Sequence, residues 1–588
     1  MSRRRNLVEV AMGRRPAEVV IQGGKLVNVL TREIYPADVA ILGARIAAVG
    51  DVEYTIGSET TIIEAQGQYL TPGLIDQHIH IHETQLNIVE FARAVLPRGT
   101  TGICTDLYGE MVVGGLKAVR TCLDAARDLP LKVWYTLGAP GYYQNLPFGH
   151  SGWPTREEVF QMLEWDECYG MDDAFASKIA AGDPMILELV DAVQARGKKV
   201  CGHGSEIRGK ELNAWMAYVR ATDDHECVGP EEAVEKARLG LHISMREGSG
   251  CFNVAAVVKA ITEYGLDSRR FCFSTDLISP VQIAGEGHID NALRQAIRGG
   301  VPPVVAVQMA TLNAAECLKV DDDYGSLNPG KVADLLLVED LAEFQIAAVI
   351  ANGELVAREG QMVKAFPSAQ FPEWAYGTVR FPRPITAEDF VIPVKNGLSE
   401  VTARVIMASG VTLLTGEEHH QLPVQDNQIQ ADPERDILKI AAIERVRGTG
   451  EIGLGLIKGF GLRSGAIATT YNSQQQNLIV LGANDADMAL AVNKLADVGG
   501  GFIIVDQGEI RSLLELALFG LEADQPFEQV LARLGEMNGV LDGLGCHLPA
   551  AFHTLGFMGL PVDIGTLKID PQGLIDVWKG EVVSLLVN

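Results

Sequence analysis

The chain has 588 residues, 47% of them hydrophobic, and a formal net charge of −27 at pH 7. That length and apolar content allow large buried cores, divided among roughly two to four domains. So negative a chain is repelled by nucleic acid and by anionic membrane surfaces, which argues against both as partners without choosing among neutral substrates.

The opening Met1-Ser2-Arg3-Arg4-Arg5-Asn6 is basic like the start of a secretory signal. Glu9, Arg14 and Arg15 interrupt the stretch from Leu7 to Ala17, so the apolar run of a signal is missing. No stretch reaches the ~18 uncharged apolar residues of a spanning helix, and a soluble, cytoplasmic protein is expected. Residues 17 to 70 read as short strands with glycine turns: Val19-Val20-Ile21-Gln22-Gly23-Gly24, Asp38-Val39-Ala40-Ile41-Leu42-Gly43 and Arg45-Ile46-Ala47-Ala48-Val49-Gly50.

The next segment ends an apolar run with Thr71-Pro72-Gly73-Leu74-Ile75-Asp76-Gln77-His78-Ile79-His80. Successive strand residues point to opposite faces, so His78 and His80 project the same way and can grip one metal ion. Alone the pair is weak evidence, because two hydrogen-bonded histidines on a half-buried strand give the same pattern. Four more acceptable ligands follow at the ends of apolar or glycine-bounded segments. They are Asp173, His203 in Val200-Cys201-Gly202-His203-Gly204, His225 in Asp223-Asp224-His225-Glu226, and Asp276 in Phe271-Cys272-Phe273-Ser274-Thr275-Asp276. Between residues 73 and 310 such segments alternate with helical patterns, as at 183 to 196 and 229 to 239. This rhythm predicts an α/β fold, a (β/α)₈ TIM-like barrel of residues 73–310 with its site at the C-terminal ends of the strands.

Strand-like segments return in Ala333-Asp334-Leu335-Leu336-Leu337-Val338 and Ala347-Ala348-Val349-Ile350-Ala351-Asn352-Gly353. A composite β-sandwich of residues 1–72 and 311–370 is therefore expected, drawn from both flanks of the barrel. Phe371-Pro372 and Phe381-Pro382-Arg383-Pro384 mark a boundary. Residues 371–588 then read as a C-terminal α/β domain, with strands at Leu478-Ile479-Val480-Leu481-Gly482 and Gly501-Phe502-Ile503-Ile504-Val505 and a helix from Asp485 to Leu495. The nine cysteines are scattered and never form CxxC, so reduced core thiols are expected rather than disulfides or a zinc ribbon.

Several longer motifs make the chain resemble the adenine deaminase family of the amidohydrolase superfamily over nearly its whole length. They are Pro72-Gly73-Leu74-Ile75-Asp76 with His78 and His80, Pro97-Arg98-Gly99-Thr100-Thr101, and Gly209-Lys210-Glu211-Leu212-Asn213-Ala214. Met245-Arg246-Glu247-Gly248-Ser249, Glu286-Gly287-His288-Ile289-Asp290 and Asn328-Pro329-Gly330-Lys331-Val332-Ala333-Asp334 continue the match, as do Gly459-Phe460-Gly461-Leu462 and Asn484-Asp485-Ala486-Asp487-Met488-Ala489. The resemblance implies a metal-dependent hydrolase that converts adenine and water to hypoxanthine and ammonia. It implies one or two divalent ions, with His78 and His80 on the first, His203 and His225 on the second, and Asp276 on the first as proton shuttle. The family's bridging carboxylate is usually glutamate; here Gly170-Met171-Asp172-Asp173 offers only aspartates, and Asp173 is preferred over Asp172. Zinc, manganese and iron all suit a histidine-rich set supplemented by oxygen. The expected partners are a small nitrogen heterocycle and further copies of the chain in a homo-oligomer.

Other positions carry two readings. Glu247, after the strand-like His242-Ile243-Ser244-Met245, is a candidate catalytic group that accepts a hydrogen bond from substrate; the alternative is a surface salt bridge with Arg246. His288 is either a substrate contact from a loop or a helix-capping or structural histidine. Lys210 and Glu211 are expected at a helix start facing solvent, His242 packed in a strand, His419 and His420 in a polar turn, and His547 and His553 in structural roles.

Departures from the family pattern bear on the substrate. Ile81-His82-Glu83-Thr84 replaces isoleucine, glutamate and serines; Asp106-Leu107-Tyr108-Gly109 replaces an Asp-Pro-His-Glu run; Leu277 replaces a second aspartate after Asp276; and Asn472-Ser473-Gln474-Gln475-Gln476-Asn477 replaces a histidine-rich loop. The expected substrate-contacting set is thus His82, Glu83, Tyr108, Leu277, His288 and Gln474. A buried polar group left unpaired costs about 1–3 kcal/mol, so such replacements can redirect specificity while sparing the hydrolytic core. They favour, beside adenine deamination, the opening of a cyclic amide, imide or ureide or deamination of another purine or pyrimidine. A catalytically idle binding protein is disfavoured, because a full ligand set is retained.

Overall fold

The computed structural model describes residues 3–138, 154–366, 370–410, 414–560 and 565–587. Its centre is a ring of eight parallel strands: β1 (Leu74–Ile79), β2 (Thr100–Thr105), β3 (Lys132–Gly138), β4 (Cys168–Phe175), β5 (Lys199–His203), β6 (Asp223–Asp224), β7 (His242–Gly248) and β8 (Phe271–Ser274). Each pairs in parallel with the next. A bridge between Ile79 and Asp276 closes the ring at its C-terminal rim, where Asp276 N donates to His78 O at 2.9 Å and His80 N to Asp276 O at 3.0 Å. All six residues of β1 are buried, as parallel strands covered on both faces require. The chain thus forms a TIM-like barrel. Side-chain caps start the surrounding helices: Asn87 accepts from Val89 N and Glu90 N at the head of α1 (Ile88–Val95), and Asp183 from Met185 N and Ile186 N at the head of α2 (Pro184–Ala195).

A seven-stranded sheet joins the two flanks of the barrel. Tyr69–Pro72 pairs in parallel with Lys25–Asn28 and antiparallel with Leu335–Val338, placing Leu335 opposite Pro72. A four-stranded sheet formed by Arg45–Gly50, Asp38–Leu42, Val19–Gln22 and Thr61–Glu64 completes this unit. Ile21, Val39, Ile41, Leu70, Leu335 and Ile350 fill its core.

Beyond it lies a ten-stranded sheet that includes β9 (Leu438–Ile443), β10 (Ala466–Thr469), β11 (Leu478–Gly482) and β12 (Gly501–Asp506). Side-chain alternation gives it two apolar faces. Ala441, Ala468, Val480 and Ile503 pack under α3 (Asp485–Val498), while Ile440, Ala442, Ile467, Ile479 and Phe502 join the core shared with the barrel. Helices α4 (Phe527–Gly543) and α5 (Ala551–Phe557) contribute Val530, Met537, Phe552 and Leu555 to that shared core. Hydrogen bonds cross the junction: Ala523 N donates to Gln85 O at 2.9 Å, Asn87 Nδ2 to Ala523 O at 2.9 Å, and Phe527 N to Glu90 Oε2 at 3.1 Å. No helix among the described residues is long and apolar enough to cross a membrane.

Candidate metal centre and its substrate side

Four histidines and several carboxylates meet at the C-terminal rim. His78 Nε2 and His80 Nε2 lie 3.3 and 3.4 Å from Asp276 Oδ1. His203 Nδ1 and His225 Nε2 lie 3.4 and 3.7 Å from Asp173 Oδ1. Ligand atoms of His78, Asp173 and His225 fall within one small volume, as do those of His78, His80 and Asp276 and those of His203, His225 and Glu226. Asp173 therefore stands between the two histidine pairs. Asp172 does not: its Oδ2 approaches His78 Nδ1 from behind at 3.2 Å and accepts from Thr136 Oγ1 at 3.0 Å.

These separations fit a metal better than they fit direct pairing. Two ligands bonded at ~2.0–2.1 Å in tetrahedral array stand about 3.3–3.4 Å apart. Among the described residues the buried His78 Nε2 and His203 Nδ1 have no hydrogen-bond partner, as expected of atoms that face a common ion. The charge balance agrees. Burial alone lowers the histidine pKa, yet the charge and hydrogen bond of Asp106 outweigh it at His80 and raise that ring to about 10. At His203 the effect of burial is likewise overcome, by Glu226 and Asp173, and the ring rises to about 9. His225 goes the other way, held well below the usual histidine range by burial and the charge of His78; with the rings neutral, Asp106, Asp172, Asp173, Glu226 and Asp276 outnumber Arg246, an excess that a divalent cation would balance.

Carboxylates behind the histidines orient them. Asp172 holds His78 Nδ1, and Asp106 holds His80 Nδ1 at 3.0 Å, leaving each Nε2 toward the centre. Buried Lys236 ties the loops that carry His203 and His225, donating to Gly204 O at 2.5 Å and to Asp224 Oδ2 at 2.6 Å. Arg246 Nη1 reaches Asp276 Oδ2 at 2.8 Å and Glu226 Oε1 at 2.5 Å. Burial opposes ionisation of Asp276, but the contacts from His78 and Arg246 prevail and hold its carboxyl well below the usual carboxylate range. Asp173 and Asp276 both take left-handed backbone conformations, with φ of 49° and 58°. Strain of this kind gathers at functional sites.

Glu247 is turned away from the cluster. Neighbours on β7 point to opposite faces, so the register that brings Arg246 to Asp276 sends Glu247 to the outer side, where it lines a cleft with Arg98, Glu286 and Arg294. Burial and the charge of Glu286 push it up to about 7. His288 is not at the cluster either. Its Nδ1 pairs with Thr100 Oγ1 at 2.9 Å, its Nε2 lies 3.2 Å from Asp76 Oδ2, and Phe91 packs edge-on against it at 5.7 Å.

The other expected contact residues gather where the barrel meets the C-terminal domain. Glu83 is fully buried; its Oε2 accepts from Tyr471 Oη, and its main-chain oxygen lies 3.1 Å from His553 Nε2. Burial, partly offset by Tyr471, raises Glu83 to about 7. Tyr108 Oη lies 3.4 Å from Ser473 Oγ and accepts from Gln474 N at 3.2 Å. The Tyr108 ring meets His82 edge-on at 4.7 Å, and a Cβ at position 109 would stand 2.5 Å from the His82 ring. The residues at 82, 108, 109 and 473–474 therefore form one connected set of contacts. Leu277 lines a cavity of about 50 Å³ with Ser249, Ser409, Gly410 and His553.

Among the histidines read as structural, His553 is thus nearer the site than expected. His242 is buried in β7, 3.2 Å from Thr222 O, and His547 faces solvent beside Asp542. His419 and His420 lie on a strand, Thr415–Gln425, rather than in a turn. Lys210 and Glu211 are exposed in the first turn of Gly209–Val219. Missing from the expected set are Asp106, Glu226 and Arg246, which lie inside quoted motifs without being assigned to the centre, and Tyr471, which no local signal marks.

Residues 69–356 match the amidohydrolase family, and residues 412–581 match the adenine deaminase C-terminal domain. An adenine deaminase of Moorella thermoacetica is 38% identical over 590 residues, spanning 99% of this chain and 98% of that one. Adenine deaminase 4 of Rhizobium meliloti is 38% identical over 597 residues, with 100% and 98% coverage, and an adenine deaminase of Clostridium botulinum is 36% identical over 594 residues, with 99% and 98% coverage. With both domains matched and the similarity running from end to end, the chain belongs to the adenine deaminase family of amidohydrolases.

Proposed function

We propose that this chain hydrolyses adenine to hypoxanthine and ammonia. The observation that carries the reading is the convergence of His78, His80, Asp173, His203, His225 and Asp276 on one rim of the barrel, in a chain related end to end to adenine deaminases. The departures at His82, Tyr108 and Gln474 do not argue for another heterocycle, since they form one mutually packed corner.

His78, His80 and Asp276 would hold one divalent ion and His203 and His225 a second, with Asp173 between them; zinc, manganese and iron all accept this donor set. When bound, such an ion supplies Lewis acidity, lowering the pKa of water toward neutrality. Asp276, kept ionised by Arg246, takes one proton from water as its oxygen adds to the ring carbon that bears the amine. The same carboxyl then gives that proton to the departing nitrogen. The C–O bond forms, the C–N bond breaks, ammonia leaves with one water proton, and the other ends on the adjacent ring nitrogen. Asp106 and Asp172 keep the histidines of the first pair in the tautomer that faces the centre.

All nine cysteines are free and eight are buried, which supports a reducing, cytoplasmic setting; a place in purine metabolism follows from the proposed reaction alone. We also take the working enzyme to be a homo-oligomer. Full-length protein loaded with zinc, manganese or iron is expected to release ammonia from adenine, and a chelator to stop it. Ammonia release from none of the three loaded forms would retire the reading.

A further inference from the structure

The family-specific C-terminal domain supplies polar groups that hold one acid of the barrel. Glu83 sits on the short 3₁₀ turn Ile81–Thr84 that leaves β1 immediately after His80. Two groups from across the junction fix it: Tyr471 Oη donates to Oε2, and His553 Nε2 meets the main-chain oxygen at 3.1 Å. Tyr471 is itself immobilised. Its ring is fully buried, its N–H donates to Thr469 Oγ1 at 3.0 Å, and His553 and Phe557 of α5 pack against it at 5.6 and 6.5 Å. Gly556, which admits the ring, would place a Cβ 2.5 Å from it. With Oε2 so held, Oε1 is buried, 3.7 Å from His82 Nε2, and without a hydrogen-bond partner among the described residues. A buried carboxylate oxygen is seldom left unmatched, because the cost is about 1–3 kcal/mol.

We propose that Tyr471 is a positioning residue that fixes the Glu83 carboxylate so that its second oxygen accepts a ring N–H of the purine, making Glu83 a specificity-determining residue. The inference rests on the proposed adenine hydrolysis. A free base offers such an N–H, whereas a donor-free ring leaves the oxygen unpaired, and a hydrogen-bonding site of this kind discriminates strongly between the two. The C-terminal domain thereby takes part in substrate choice without supplying a metal ligand.

The test is a double-mutant cycle on full-length, metal-loaded protein. Tyr471→Phe removes only the donor and is expected to raise KM for adenine about tenfold with little change in kcat. Glu83→Gln is expected to lower kcat/KM about 100-fold. Because Tyr471 acts through Glu83, the double variant should be no worse than Glu83→Gln alone, with metal content unchanged in all three. Multiplicative losses, or a Tyr471→Phe KM within twofold of wild type, overturn the proposal. A crystal structure of Tyr471→Phe reads the positioning without turnover: Glu83 should leave its rotamer, and an unmoved carboxylate would overturn the proposal even if adenine proved not to be the substrate. Failure of wild type to act on adenine counts instead against the proposed function.

Discussion

On the barrel side of the site each element of the cluster is a charge facing another charge, with Asp106 and Asp172 behind the first histidine pair and Arg246 behind Asp276. On the C-terminal side the contacts are uncharged hydroxyls, main-chain groups and ring edges, centred on Tyr108, Tyr471 and Ser473. Charged groups at a shared centre are costly to rearrange, because each loss leaves another charge buried without its partner. Packing and neutral hydrogen bonds tolerate exchange when the total volume is kept. The difference explains why the four histidines and Asp276 follow the family pattern, and Asp173 exchanges one carboxylate only for another, while the corner around His82 departs from it in several places at once.

The sharpest way to break this comparison is at Asp276. Asn keeps the shape and tolerates the left-handed backbone at this position, so Asp276→Asn is expected to lower kcat about 10³-fold while the fold persists. A loss under tenfold would remove Asp276 from proton transfer. Next in size, Asp106→Asn or Asp172→Asn should weaken metal binding about 10–100-fold, measured by competition with a chelator, because the imidazole behind the ligand loses its acceptor. An unchanged affinity would mean that the histidines need no orienting acid.

The neutral corner is tested by overpacking. Gly109→Ala sets a methyl group against the His82 ring and should cost about 1–3 kcal/mol in denaturant unfolding. Paired with His82→Ala, which vacates that space, the same substitution should be nearly harmless. If the single change is silent, the ring and the glycine are not coupled.

The smallest effect is expected at Glu247. Its folded-state pKa is raised to about 7 by burial and Glu286, so the folded state binds the extra proton between about pH 4.5 and 7 and stability falls as pH rises through that window. Glu247→Gln removes this penalty. The variant should match wild type at pH 4 and exceed it by ~1 kcal/mol at pH 8, well below the ~3 kcal/mol of the full shift, because Glu247 lines a cleft where water screens its charge. A hundredfold loss of kcat would return Glu247 to the groups that touch substrate.

Glu247 also shows where reading the sequence stops. The strand was recognisable in His242-Ile243-Ser244-Met245, but the face each residue takes depends on register, and a slip of one exchanges Glu247 for Arg246. His78 and His80 were easier, since their spacing of two fixes their common face whatever the register. Asp106 and Glu226 lie inside recognisable motifs, yet their roles depend on where side chains meet across strands. Tyr471 meets Glu83 from 388 positions away, and no periodicity carries such a contact. The βα rhythm and the return of β segments after residue 333 were plain because they are local patterns of apolar spacing.

The seven-stranded sheet sets a timetable for synthesis. Tyr69–Pro72 is made early, but its neighbour Leu335–Val338 leaves the ribosome more than 250 residues later, with all eight barrel strands made in the interval. Until then one edge of that strand is unpaired, a template for other chains. The barrel therefore assembles as an insertion within an unfinished sheet, and its completion brings the two halves of that sheet together.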